Sequence, residues 1–95
     1  MQPAGWREAR VLEIVPENAR TRTLLLDCPG WPGHLPGQRV VVRLTAEDGY
    51  RASRSYSIAS APDDPHLALT VERIDDGEVS PYLVDEVVAG DVLEL

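Results

Sequence analysis

Two short segments carry side chains whose types and spacing suit a phosphorylated, planar ligand. In the first, Arg54 and Tyr56 alternate with serines in the run Arg54–Ser57. If this run is an extended strand, Arg54 and Tyr56 project to the same side, about 7 Å apart. A guanidinium grips phosphate through two hydrogen bonds, and a phenol ring offers a flat aromatic surface. The pair predicts a site for a phosphate linked to a planar ring, although a surface arginine beside a half-buried tyrosine would look the same.

The second segment is the turn Gly77–Ser80. Gly77 allows a ligand to approach the backbone closely. Ser80 precedes Pro81, a pair typical of a helix start, and the first turn of a helix has free N–H groups that favour an anion. Ser80 would either add its hydroxyl to such a site or simply cap the helix. The segment predicts a phosphate-binding turn, or alternatively only a capped helix.

The elements that must position these segments are mostly strands. Apolar and polar residues alternate with a period of two, most clearly in His66–Arg73, and clusters of Gly, Pro, Asn and Asp separate the runs. Turns are expected at Pro16–Asn18, Pro29–Gly37 and Glu47–Gly49. We predict strands at Arg7–Val15, Thr21–Cys28, Gln38–Thr45, Arg51–Ser60, His66–Arg73 and Asp91–Leu95, and a helix at about residues 80–89 that ends near Gly90. This order predicts an all-β fold: a closed, six-stranded antiparallel Greek-key β-barrel with one short helix capping one end.

Composition excludes several classes of function. The chain has 95 residues, enough for one domain, and a net charge of −7 that disfavours nucleic acid. Phe is absent, so Val, Leu, Ile and Ala must build the core. Cys28 is the single cysteine, which excludes an internal disulfide and a multi-cysteine metal site. No apolar run approaches the length of a membrane span and no signal peptide is recognisable, so we expect a cytoplasmic protein.

Taken together, the segments resemble the flavin-binding domain of the ferredoxin-NADP reductase superfamily, particularly bacterial oxygenase-type and flavodoxin/ferredoxin-type reductases. The resemblance covers nearly the whole chain and is carried by Leu35–Gln38, Arg54–Ser57, Gly77–Ser80 and Gly90–Leu95. It implies FAD, rather than FMN, as the cofactor. Tyr82 and Trp31 are the candidates for stacking on the adenine.

The resemblance also implies which residues bind the cofactor: Arg54, Ser55, Tyr56, Ser57, Val71, Arg73, Gly77, Val79 and Ser80. Arg54 resembles the residue that holds the flavin phosphate, Tyr56 the one whose ring lies on the isoalloxazine, and Ser57 the one that bonds near flavin N5. Val71 and Arg73 match the strand that passes the ribityl and phosphate portion. Gly77, Val79 and Ser80 match the phosphate-binding turn and the start of the helix, and Ser55 belongs to the matching motif on the strand. No general base, nucleophile or metal ligand set is apparent.

The implied function is that of an FAD-binding module, residues 1–95, of an NAD(P)H-dependent electron-transfer oxidoreductase. The family's C-terminal NAD(P)-binding domain is absent from the sequence, so we expect no turnover by this chain alone. The implied electron partner is an iron–sulfur protein such as a ferredoxin, a haem protein or an oxygenase. Apolar surface that would face the second domain would also allow a homodimer. The alternative is a cofactor-free barrel that serves protein interaction or regulation; an oligonucleotide-binding barrel is disfavoured by the negative charge.

Overall fold

The computed structural model describes residues 6–31, 33, 37–45, 47–61, 63–74, 77 and 79–95. Within them the chain forms strands and a single helix, which we number in chain order. The elements are β1 (Glu8–Asn18), β2 (Thr21–Asp27), β3 (Arg39–Thr45), β4 (Arg51–Ser57), β5 (Leu67–Glu72), α1 (Ser80–Asp85) and β6 (Val92–Glu94). The predicted all-β class with one short helix is confirmed.

All six strands belong to one antiparallel sheet in the order β4-β3-β6-β1-β2-β5. The last strand, β6, therefore lies between β1 and β3, as a Greek-key path requires. The outer strands β4 and β5 meet only beyond the end of β4, where Ile58 bridges Leu69 and the Ala59 N–H donates to the Ala68 carbonyl at 2.7 Å. The sheet is thus open between β4 and β5 along most of their length, so the barrel is only partly closed, whereas a closed barrel was predicted.

Alternation along the strands builds the core. On β3, Val40 and Val42 are fully buried, and on β5 Leu69 and Val71 are as well, so each strand turns its alternate apolar residues inward. Burying a side chain of this size contributes roughly 1.5–3 kcal/mol, which lets a chain without Phe still fill its interior. The helix adds Leu83 to this core from one end.

Strand β1 is longer than the sequence indicates. The turn predicted at Pro16–Asn18 is wrong, because the strand runs through Pro16 to Asn18 and turns only afterwards. β6 pairs with β1 only at Glu8–Arg10, so beyond this stretch one edge of β1 faces no described strand and tolerates a proline. The Asn18 side chain then accepts the Arg20 N–H at 2.9 Å and forms the turn. The other strands end within three residues of their predicted limits.

The helix is shorter than the predicted span of residues 80–89 and ends at Asp85. It stops because the Asp91 carboxylate captures the Val88 N–H at 3.0 Å, which removes that group from the helical pattern. Gly90 has a φ of +98° and occupies the turn before β6, not the helix terminus. Ser80 does not cap the helix either: the N-cap is Val79, without a side-chain hydrogen bond.

Candidate cofactor-binding cleft

The opening between β4 and β5 leads into a cleft of about 410 Å³. Its walls come from the middle of β4, the end of β5 and the start of α1. The residues that line it are Arg54, Ser55, Tyr56, Glu72, Ile74, Gly77, Val79 and Ser80. The two segments that the sequence singled out, far apart along the chain, therefore meet in one place. We call this the β4–α1 cleft.

Strand β4 is held in register by its pairing with β3. Arg54 lies opposite Val42 and Tyr56 opposite Val40, so both side chains project to the same side, as predicted. Tyr56 is half-buried and packs against the core. Burial raises the pKa of its phenol, while the positive charge of Arg54 acts in the opposite direction. Tyr56 is consequently neutral at physiological pH and offers an uncharged ring beside a cation.

Arg54 is the cation of the cleft, and its guanidinium forms no ion pair within the part of the chain that the structure describes. One of its nitrogens donates to the Ser53 carbonyl at 2.7 Å. Glu72 lines the same cleft but forms no salt bridge with Arg54. By contrast, Arg43 makes a two-pronged pair with Glu94 at 3.0 and 2.9 Å. Arg54 therefore retains donors for an anion in the cleft.

The opposite side of β4 is braced by Arg39 of β3. Its guanidinium donates to the Ser55 hydroxyl at 2.9 Å, the Ser57 hydroxyl at 3.0 Å and the Ser55 carbonyl at 2.7 Å. Ser57 is exposed and does not line the cleft, whereas Ser55 does. The implied role of Ser57 near the flavin ring stays a prediction.

Val71 and Arg73 lie outside the cleft. Val71 is fully buried in the core, so its side chain is not offered to a ligand. Arg73 donates to the Asp85 carboxylate at 3.1 Å and ties the end of β5 to the helix. Their implied position along the ribityl and phosphate portion of the flavin stays a prediction, and sequence spacing gave no indication of the pair between Arg73 and Asp85.

The turn before the helix is closed by two hydrogen bonds. The Gly77 N–H donates to the Ile74 carbonyl at 2.8 Å, and the Ser80 hydroxyl oxygen accepts the Ile74 N–H at 2.8 Å. A Cβ on Gly77 would lie 3.1 Å from that carbonyl oxygen, so glycine fits this tight turn best. Ser80 is 5% exposed, and its hydroxyl hydrogen stays available for donation.

Helix α1 is held from its far end by Arg22 of β2, which donates to the carbonyls of Leu83 and Val84. The helix has six residues, so its dipole is smaller than that of the longer helix predicted from the sequence. The predicted role of the turn Gly77–Ser80 in phosphate binding stays a prediction. Leu35, Pro36 and Glu78, which belong to the motifs quoted above, lie outside the described residues.

Two residues of the cleft, Glu72 and Ile74, escaped the sequence interpretation. Glu72 follows the alternating pattern of β5 outward, and nothing in that pattern indicates a ligand site. Ile74 offered a signal, because it is a large apolar residue in a polar turn, and it is 54% exposed. Its side chain gives the cleft an apolar surface in addition to Tyr56.

The surface has further cavities. One of about 580 Å³ is lined by both β3 and β6 and includes Tyr50 and Tyr82. Another, of about 380 Å³, lies beside Cys28, Trp31 and His66. Burial raises the pKa of the Cys28 thiol, so it is a protonated, core-facing side chain. No cluster of three metal-ligating side chains occurs among the residues placed by the structure.

The family model of the oxidoreductase FAD-binding domain matches residues 10–95. The chain belongs to this family. It is therefore an FAD-binding domain of the oxidoreductase type, and the resemblance inferred from the sequence is confirmed.

Similar proteins are several times longer than this chain. A flavohemoprotein of Chromobacterium violaceum is 38% identical over 97% of this chain and 25% of its own length. The glycine betaine monooxygenase reductase subunit of Chromohalobacter salexigens is 34% identical over 94% of the chain and 25% of its own length. The chain thus spans about a quarter of these relatives.

Among solved structures, the flavohem-like FAD/NAD binding domain of nitric oxide dioxygenase from Vibrio cholerae superposes with a TM-score of 0.81 at 29% identity. The match covers 93% of this chain and 41% of that one.

No helix in the described part of the chain is long and apolar enough to cross a membrane.

Proposed function

We propose that this domain binds FAD in the β4–α1 cleft and serves as the flavin module of an NAD(P)H-dependent electron-transfer oxidoreductase. The observation that carries the proposal is that Arg54, Tyr56 and Ser80 line one cleft, although the last is separated from the others by an intervening strand. An anion-binding side chain, a flat ring and hydroxyl donors are the groups that a phosphorylated isoalloxazine requires.

The residues of the cleft fit this cofactor. A volume of about 410 Å³ lies within the range of roughly 300–1,000 Å³ that is typical of ligand pockets. The Arg54 guanidinium, which has no carboxylate partner among described residues, would bind the phosphate, with the Ser80 hydroxyl as a second donor. Tyr56 and Ile74 would contact the ring and the ribityl chain.

FAD supplies the redox chemistry when it is bound, and the protein determines its position and surroundings. Tyr56 would exclude water from one face of the ring system. Arg39 fixes the Ser55 and Ser57 hydroxyls at the back of β4, and since these oxygens accept from Arg39, their hydrogens remain free to donate. Ser57 lies at the end of β4, and from the strand edge its backbone N–H or its hydroxyl would donate at the ring edge. Val71 and Arg73 would act by holding the cleft walls in place.

The relatives suggest how such a module works in a longer protein. One is a flavohemoprotein and another is a monooxygenase reductase subunit, so we propose a haem protein, an iron–sulfur protein or an oxygenase as the electron acceptor. Because those proteins are about four times longer, we also propose that a separate NAD(P)-binding domain delivers electrons to the flavin. We also propose that the protein is cytoplasmic. A homodimer would form only if the NAD(P)-binding domain does not cover the apolar surface that faces it.

A titration of the purified chain with FAD, followed by flavin fluorescence, tests the proposal. We expect saturable binding that Tyr56→Leu weakens several-fold, because an aromatic contact contributes about 0.5–1.5 kcal/mol beyond buried area. Tyr56→Phe keeps the ring and should bind as the wild type does. The absence of saturable binding would contradict the proposal and favour a cofactor-free interaction domain.

A further inference from the structure

Strand β4 presents Arg54 and Tyr56 to the β4–α1 cleft, yet little of its own sequence holds it in place. It lies at one end of the sheet and pairs along its length only with β3. Every other strand in the described part of the chain has a buried side chain, whereas β4 has none. The nearest buried anchor is Ile58, which follows the strand and bridges Leu69. An edge strand without a buried side chain opens at a low cost in free energy, so other contacts must hold β4.

The alternation of side chains along β4 also specifies its register only weakly. Its inward positions are Ala52, Arg54 and Tyr56, and its outward positions hold one arginine and three serines. Polar residues thus occupy both faces of the strand. A slip by one residue would exchange the two faces at a small cost in buried apolar surface, and Arg54 and Tyr56 would then point away from the cleft.

Arg39 of β3 supplies the missing constraint from the outward side. Its Nε and Nη1 donate to the hydroxyls of Ser55 and Ser57 at 2.9 and 3.0 Å, and its Nη2 donates to the Ser55 carbonyl at 2.7 Å. We call these three hydrogen bonds the Arg39 clamp. The two serines flank Tyr56 in the chain, and a guanidinium holds its donors in a fixed planar fork. The clamp therefore sets the position of β4 along β3, and a slip by one residue would remove both hydroxyls from it.

A second arginine on the outward side of β3 behaves differently. Arg43 lies opposite Ser53 of β4, but its guanidinium turns to Glu94 of β6. Arg39 forms no ion pair with any residue that the structure describes, so its bonds to β4 are its principal contacts. Strand β3 thus carries a matched pair of arginines, of which one is bonded to β4 and the other to β6.

We propose that Arg39 is a positioning residue of the cofactor site. The Arg39 clamp fixes β4 so that Arg54 and Tyr56 face the β4–α1 cleft before a ligand arrives. Arg39 does not line the cleft, so it acts through the strand and makes no contact there. The inference rests on the proposed function for the identity of the ligand, whereas the hold on β4 is a property of the chain without ligand.

The test measures the opening of β4 and the binding of flavin on the same variants. Amide hydrogen exchange of residues 51–57 is followed without flavin, with β2 and β5 as internal references. Dissociation constants for FAD and riboflavin are measured by flavin fluorescence. The variants are Arg39→Met, Arg39→Lys and the matched control Arg43→Met, which removes an arginine from the same side of β3 and leaves the clamp intact. Arg39→Lys keeps the charge and a single bonding group, and it keeps the test valid if Arg39→Met does not fold.

Arg39→Met should shift the opening equilibrium of β4 about five- to tenfold, the factor that corresponds to one net hydrogen bond. For a strand that opens readily, exchange in residues 51–57 then becomes about three- to fivefold faster, while β2 and β5 do not change. The fraction of molecules with a competent cleft falls, so the dissociation constants of FAD and riboflavin should rise by a common factor of about three. Arg39→Lys should give smaller changes of the same kind, and Arg43→Met should give none.

Several results would overturn the positioning role and leave FAD binding in the cleft intact. They are unchanged exchange in β4, equally faster exchange in β2 and β5, an equal effect of Arg43→Met, and faster exchange in β4 with unchanged flavin affinity. A loss of affinity for FAD but not for riboflavin would assign Arg39 to the phosphate and would also overturn it. If wild type binds neither flavin, the proposed function itself is wrong and the positioning role falls with it, even where exchange in β4 responds to Arg39.

Discussion

Replacing Arg54 with methionine is the sharpest perturbation of the β4–α1 cleft. The substitution removes a guanidinium that has no carboxylate partner among the described residues, so it breaks no internal ion pair. A hydrogen bond to a charged group contributes about 1.5–3 kcal/mol, equal to roughly a tenfold to hundredfold change in affinity. Since Arg54 is exposed and solvent screens its charge, we expect the lower end, about a tenfold rise in the FAD dissociation constant.

The assay is a flavin-fluorescence titration with FAD and with riboflavin, which has no phosphate. Arg54→Met should weaken FAD binding and leave riboflavin binding unchanged, and the effect should shrink as salt is raised from about 0.1 to 1 M, where the Debye length falls from about 10 to 3 Å. Arg54→Lys should be intermediate, because it keeps the charge and loses the two-pronged geometry.

Arg51→Met is the matched control. Arg51 is an exposed arginine at the start of the same strand and does not line the cleft. Its removal should not alter FAD affinity beyond about twofold. Equal losses for Arg51→Met and Arg54→Met, or an equal loss of riboflavin binding, would refute the assignment of Arg54 to the phosphate.

Three further predictions follow from single contacts. Gly77→Ala places a Cβ 3.1 Å from the Ile74 carbonyl oxygen, so the turn must shift. FAD affinity should fall several-fold in the flavin-fluorescence titration. An unchanged affinity would contradict a role for this turn in FAD binding. Arg22→Met removes the hydrogen bonds to the last turn of α1 and should lower the free energy of unfolding in urea by about 1–2 kcal/mol; an unchanged midpoint would show that the helix does not need them. Arg43 lowers the pKa of Glu94 from its usual 4.5, so the ion pair stabilises the fold above pH 4.5 and loses this effect as the pH falls through the lowered pKa. Glu94→Gln removes the titrating group and should therefore reduce the loss of stability that urea titrations measure below pH 4.5. An unaltered dependence of stability on pH would contradict this prediction.

The strands were predictable because their burial follows local alternation. In β5, Leu67, Leu69 and Val71 are all buried, and no distant contact was needed to infer that face. The juxtaposition of Arg54 with Ser80 was predictable only through the resemblance of the two motifs to a known family. Periodicity gives the face of a strand but not which distant segment lies opposite it.

The errors at the two ends of α1 arose where a side chain competed with the backbone. The Asp91 carboxylate ends α1 early, and the Ser80 hydroxyl bonds the Ile74 N–H, so it does not cap the helix. The partners of the arginines could not be predicted from the sequence either. Arg73 forms a salt bridge with Asp85 of the helix, and Arg39 donates hydrogen bonds to Ser55 and Ser57 of the neighbouring strand. Such choices depend on tertiary distances that no local pattern contains.

A crystal structure of the chain grown with FAD is the most direct measurement of where the cofactor lies. We predict density for the isoalloxazine against the Tyr56 ring and a phosphate within hydrogen-bonding distance of the Arg54 guanidinium. Density for the flavin elsewhere on the barrel, with the space between β4 and α1 filled by solvent, would contradict the assignment of this cleft.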